Sequence, residues 1–163
     1  MKTYQARFSA PFGMLGICCE ADALTGIEFL VPEITPLPPR TVFSRMVCDQ
    51  LAAYFSNADF HFDIPLKLDG TQHRSKVWQA LCAIPRGQTR YYGELAQQIS
   101  SSPRAVGQAC GANPLPIIIP CHRVVSKTGM GGFMHQRNDF ALNIKRWLLA
   151  HESATPSPLM GEG

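Results

Sequence analysis

No two cysteines of this chain stand in C-x-x-C spacing. The six lie at Cys18, Cys19, Cys48, Cys82, Cys110 and Cys121, so neither a metal-binding motif nor a disulfide framework is signalled. No secretory leader is expected either, and the thiols are expected to be reduced, in a cytoplasmic protein. The five histidines are scattered, and no metal or cofactor is expected. No apolar run approaches the ~20 residues that cross a bilayer, so no membrane partner is expected. Charged residues make up 17% beside 45% hydrophobic ones, as in ordinary soluble globular proteins.

The charge that is present is unevenly placed. Residues 1–67 hold five Lys/Arg against seven Asp/Glu, a net of −2, and residues 68–152 hold ten against four, a net of +6. A basic second half favours a polyanionic partner, although a solvated basic face reads the same way. The sign changes near Pro65 and Gly70, which predicts two small domains, 1–67 and 68–152. The tail 153–163, rich in Pro, Gly and Ser, is expected to be disordered.

Short apolar segments at 3–8, 12–19 and 24–30 predict an antiparallel meander. Pro32, Pro36, Pro38 and Pro39 make the next stretch irregular. Phe43, Met46, Val47, Leu51, Tyr54 and Phe55 recur at helical spacing, which predicts a helix to about residue 55. This half reads as scaffold. In the second half a helix is predicted over 74–83, with Trp78 and Cys82 in the core. Two short helices follow, 93–99 and 104–112, with Ser102 as N-cap and Pro103 in the first turn of the second. Asn113, tolerant of a left-handed conformation, and Pro114 end it. A last helix is predicted over 139–150, capped by Asn138 or Asp139.

The two short helices within a basic half form a helix-turn-helix candidate. The second is poor in base-reading side chains, since Arg104 is its one long cation. It suits close approach to a backbone or shallow groove, and Arg104 suits insertion where a nucleotide has left the stack. Chemistry points to Pro120-Cys121-His122-Arg123-Val124. A thiol beside an imidazole and a guanidinium is a candidate nucleophile, because thiolate is the attacking species. Adjacent side chains do not face each other, so a direct Cys121–His122 hydrogen bond is awkward.

These segments resemble the O6-alkylguanine-DNA alkyltransferases. The matching residues are Pro85-Arg86-Gly87 with Tyr91-Tyr92, Arg104-Ala105-Val106-Gly107, Gly111-Ala112-Asn113-Pro114, Ile119-Pro120-Cys121-His122-Arg123-Val124 and Trp147-Leu148-Leu149-Ala150-His151-Glu152. They cover about half the chain. The resemblance implies an α+β protein, with a small ribonuclease H-like N-terminal domain of antiparallel sheet and helix. It also implies a helical C-terminal winged helix-turn-helix domain. The implied function is direct-reversal DNA repair: irreversible transfer of the alkyl group of O6-methylguanine, or of O4-methylthymine, to Cys121, in one turnover. The implied partner is double-stranded DNA bound through the minor groove by a monomer. His122 is implied as a base, linked by water to Cys121 and held by Glu152. Tyr92 is implied as proton donor and Asn113 as hinge. Arg104, Ala105, Gly107 and Arg123 are implied at the DNA.

The family's usual Gly-x-Tyr-x-Gly-Gly loop is replaced here by Gly131-Gly132-Phe133 and the longer Met134-His135-Gln136-Arg137-Asn138-Asp139. The alternative reading is an alkyltransferase-like lesion binder without transfer, a class that lacks the reactive cysteine present here at 121. A winged-helix regulator and a thiol hydrolase are weaker: the first lacks base-reading side chains, the second an oxyanion signal.

Overall fold

The computed structural model describes residues 3–31 and 34–153, so Pro32 and the tail beyond Ser153 lie outside the described residues. The chain divides into two compact units, Met1–Asp69 and Gly70–Gly163.

In the first unit, β1 (Ala6–Ala10), β2 (Gly13–Glu20) and β3 (Ala23–Leu30) form an antiparallel meander in the order β1-β2-β3, with a bulge at Cys18/Cys19. Leu15 and Ile17 project from one face of β2 and are fully buried. On the other face Gly16 lies under the Tyr4 ring, where a Cβ would come within 2.5 Å of a ring carbon. Tyr4 Oη in turn donates to Glu28 Oε1 at 2.8 Å. Residues 34–40 of the proline-rich stretch are irregular except at Leu37, which exchanges two backbone hydrogen bonds with Arg7.

Helix α1 (Val42–Ser56) begins where Thr41 and Ser44 cap each other: Ser44 N donates to Thr41 Oγ1 and Thr41 N to Ser44 Oγ, both at 3.0 Å. Such a cap is worth about 1 kcal/mol. It also gives the fully buried Ser44 hydroxyl its hydrogen-bond partners. Val47, Leu51 and Tyr54 form the inward stripe, and each buried aliphatic side chain contributes about 1.5–3 kcal/mol.

The second unit is mostly helical: α2 (Gln72–Cys82), β4 (Arg90–Tyr91), α3 (Tyr92–Gln98), α4 (Pro103–Gly111), a 3₁₀ turn at Cys121–Arg123, β5 (Val124–Val125) and α5 (Asp139–His151). Short parallel pairing joins β4 to β5. Trp78 on α2 is buried and donates from Nε1 to the Ala109 carbonyl at 3.1 Å, pinning α2 to α4. Cys82 was expected in the core but is exposed. It is the last residue of α2, where the apolar stripe has already been completed by Val77, Trp78 and Leu81. Ser102 and Asn138 cap α4 and α5 by accepting from Ala105 N and Ala141 N.

The end of α4 also differs from expectation. The chain turns at Ala112 (φ −87°, ψ 1°), and Asn113 is not left-handed. Its side chain does the work instead: Oδ1 accepts from Leu115 N at 2.9 Å, and Nδ2 donates to the Ile119 carbonyl at 2.8 Å. Among the described residues no helix is long and apolar enough to cross a membrane, and no group of three potential metal ligands occurs.

Candidate active site

The segment Leu115–Pro120 is apolar yet forms a turn rather than a strand, closed by Ile119 N donating to the Leu115 carbonyl at 2.8 Å. Ile117 takes a positive φ of 77°, a costly state for a β-branched residue, about 1–3 kcal/mol. Cys121 N donates back to the Ile119 carbonyl at 2.8 Å, and Pro120 sits at φ −80°, ψ 66°. These values describe an inverse γ-turn. It delivers Cys121 to the first position of the 3₁₀ turn, with the Asn113 amide tied directly beneath.

A 3₁₀ turn sends consecutive side chains about 120° apart, so Cys121 and His122 leave the backbone in different directions. Cys121 faces a cavity of about 480 Å³ that Tyr92, Arg104, Gly107, Cys110 and Met134 also line. His122, fully buried, points toward the end of α5, where Nε2 lies 3.0 Å from Glu152 Oε2. That contact is within ion-pair range but bent. Neither imidazole nitrogen has a well-aligned hydrogen-bond partner among the described residues.

Glu152 is 1% exposed and shared. Arg123 reaches it with two nitrogens, Nε to Oε1 and Nη2 to Oε2, each at 2.9 Å, while Arg123 Nη1 donates to the Ile84 carbonyl at 2.7 Å. Burial alone would raise the Glu152 pKa; the nearness of His122 and the bonds from Arg123 outweigh that and hold the carboxyl far below the usual range. Burial lowers the His122 pKa, although Glu152 opposes the shift. A neutral imidazole beside a fixed carboxylate is able to take up a proton.

Cys121 is buried, and that pushes its thiol up to about 11; a hydrogen bond from Asn113, the charge of Lys145 and its own backbone pull the other way. Tyr92 is likewise raised, by burial first and then by Cys110 and Cys121, so its phenol keeps its proton at neutral pH.

Arg123, expected at the DNA, is engaged within the protein. Its guanidinium is turned inward onto Glu152 and Ile84, with 13% of the side chain exposed. Its charge compensates the buried carboxylate, which is a positioning task. Of the remaining expected residues, Cys121, Tyr92, Arg104 and Gly107 share one cavity, His122 and Glu152 lie behind Cys121, Asn113 lies under it, and Ala105 sits half-buried on α4 outside the cavity lining.

Two residues were missed. Lys145 is fully buried, and Nζ donates to the carbonyls of Val124, Met130 and Gly132 at 2.7, 2.6 and 3.0 Å. Three acceptors match the three N–H groups of an ammonium. Burial lowers its pKa to about 8, with Cys121 and Cys110 opposing. The signal was present in the spacing, since Ala141, Lys145, Leu148 and Glu152 form one i, i+4, i+7, i+11 stripe on α5. Cys110, buried on α4, also lines the cavity.

The wall opposite Cys121 is a two-residue turn. Phe133 N donates to the Gln136 carbonyl at 2.8 Å and Gln136 N to the Phe133 carbonyl at 2.9 Å. The central residues, Met134 and His135, both have positive φ, 53° and 65°. Glycine or asparagine usually occupies such positions, and each other residue there costs about 1–3 kcal/mol.

Residues 72–154 match the family model described as 6-O-methylguanine DNA methyltransferase, DNA binding domain. A methylated-DNA–protein-cysteine methyltransferase of Mycobacterium tuberculosis (strain H37Rv) is 42% identical over 164 residues, covering 92% of this chain and 93% of its own. A protein of the same name from Methanosarcina mazei is 45% identical over 113 residues, 68% of each chain. Among solved structures, the O6-methylguanine methyltransferase of M. tuberculosis superposes with a TM-score of 0.75 at 39% identity, covering 90% of each chain. The M. tuberculosis OGT in complex with DNA gives 0.72 at 39% identity, covering 94% of this chain and 96% of that one.

Proposed function

The chain belongs to the O6-methylguanine-DNA methyltransferase family, and from that premise we propose that it repairs alkylated DNA by moving the alkyl group of O6-alkylguanine onto Cys121. One observation carries the assignment of Cys121: its thiol opens on the cavity that the Arg104 face of α4 and Tyr92 help to line.

The substrate-free thiol is protonated at neutral pH because it is buried. Transfer therefore begins with loss of that proton to His122 through a bridging water, since the two side chains diverge. Glu152, itself held by Arg123, lies beside the imidazole and stabilises the imidazolium that forms. The thiolate attacks the alkyl carbon in line; the S–C bond forms as the C–O bond breaks. The electron pair leaves on the guanine, which takes a proton from Tyr92. His122 returns a proton to the phenolate through solvent, so the proton lost by sulfur equals the one gained by guanine. The product is a thioether, which water does not cleave, and each molecule acts once.

In this reading the unit Gly70–Gly163 is a winged helix-turn-helix, with α3 and α4 as the helical pair. The unit Met1–Asp69 is ribonuclease H-like. A monomer binds double-stranded DNA through the minor groove, in the cytoplasm. Ala105 and Gly107 lie against the groove, and a Cβ at Gly107 would meet nothing within 4 Å, which fits an open face. Arg104 fills the stack left by the extruded base, and Asn113 joins α4 to the cysteine turn. O4-methylthymine fits the same chemistry.

Mass spectrometry after incubation with an O6-methylguanine oligonucleotide tests this. The Cys121 peptide gains one methyl group and Cys121→Ala gains none. Methyl on another cysteine, or on none, refutes the assignment.

A further inference from the structure

Cys121 Sγ points at the thioether of Met134, with the two sulfurs 3.9 Å apart. Met134 stands on the two-residue turn with positive φ, so a disfavoured backbone places this side chain there. His135, the other central residue, lays its ring over Gly111 of α4, where any Cβ would collide with it. The turn is thereby wedged between the acceptor sulfur and the helix that lines the same cavity.

In-line displacement needs the alkyl carbon close to Sγ, at about 3–3.5 Å, with the rest of the alkyl group projecting beyond it. Met134 already occupies part of the space around the sulfur. We propose that Met134 is a specificity-determining residue which admits a methyl group and excludes bulky alkyl groups, and that the His135–Gly111 contact holds it in place. The proposal rests on Cys121 being the acceptor. It concerns the residues by which this chain departs from the usual glycine-rich loop. The transfer itself is unchanged: S–C forms, C–O breaks, and guanine leaves. A flexible thioether yields to one carbon more easily than to an aromatic ring.

Single-turnover transfer from oligonucleotides carrying O6-methylguanine or O6-benzylguanine gives the test. The wild type takes methyl readily and benzyl slowly. Met134→Ala raises the benzyl-to-methyl rate ratio at least tenfold. Met134→Leu keeps the wild-type ratio, and Gly111→Ala, which displaces His135, shifts it the way Met134→Ala does. A benzyl-to-methyl ratio unchanged in Met134→Ala overturns the proposal. So does a wild type that takes both lesions equally fast. Methyl transfer by the wild type is the internal control: its absence refutes the acceptor assignment rather than the role of Met134.

Discussion

Glu152 Oε2 accepts from Arg123 Nη2 at 2.9 Å and lies 3.0 Å from His122 Nε2. One carboxylate oxygen thus serves a fixed cation and the candidate base, and the cation keeps the carboxylate ionised while the base titrates. The local net charge is zero when His122 is neutral, and burial of the set is tolerable for that reason.

Glu152→Gln removes the charge that compensates Arg123 in a buried position. Loss of one partner of a buried pair costs about 3–5 kcal/mol. The expected outcome is a lower urea midpoint at pH 7 and slower methyl transfer. A midpoint equal to the wild type would show that Arg123 needs no buried counter-charge.

Stability should fall as the solution becomes acidic. Glu152 has a folded pKa below its unfolded value, so its contribution is present above the ordinary carboxylate range and is lost as pH falls below it. His122 acts in the same direction: its folded pKa is lowered, so the unfolded chain takes up the proton first as pH drops through the ordinary histidine range. Urea melts at pH 8, 6, 4 and about 2.5 should show the loss in sequence, and His122→Gln should remove the part that sets in near the histidine range.

The rate profile separates base catalysis from simple ionisation. With His122 neutral throughout, transfer should vary little between pH 7 and 8.5. In His122→Ala the thiol must ionise unaided, and with its pKa near 11 the rate should rise about tenfold per pH unit over that range. A flat profile in the variant would refute the role of His122.

Lys145→Met keeps the length of the side chain and strands three carbonyls. Each buried unsatisfied group costs about 1–3 kcal/mol, partly offset by removal of a buried charge. A net loss of roughly 2–4 kcal/mol is expected in urea denaturation. Lys145→Arg should not restore it, because a planar guanidinium cannot meet three carbonyls converging on one nitrogen.

Arg104 is exposed at the cavity mouth, so Arg104→Ala should leave stability within about 0.5 kcal/mol. Repair of duplex DNA should slow much more than reaction with a free-base analogue. Equal slowing of both would remove the stacking role.

By itself the sequence determined the features that depend on near neighbours. Alternation and helical spacing yielded the meander, α1, α4 and α5, with Ser102 as one cap and Asn138 or Asp139 as the other. The run Pro120–Val124 marked the reactive segment, because a thiol, an imidazole and a guanidinium in succession are legible without coordinates. Even the divergence of Cys121 and His122 followed from adjacency. Tertiary structure decided the rest. Arg123 pairs with Glu152, which is twenty-nine positions away in the chain and reaches it only through the packing of α5. Asn113 works through its side chain instead of a left-handed backbone, since the Ile119 carbonyl it binds becomes available only once the Leu115–Pro120 turn has closed. Lys145 is buried because the Val124 carbonyl and two from the loop at Met130 and Gly132 converge on one point. Met134 touches Cys121 for a comparable reason: a backbone state that local propensity disfavours is held by contacts with α4 and the cysteine turn. Such contacts join residues distant in sequence, and no local pattern records them.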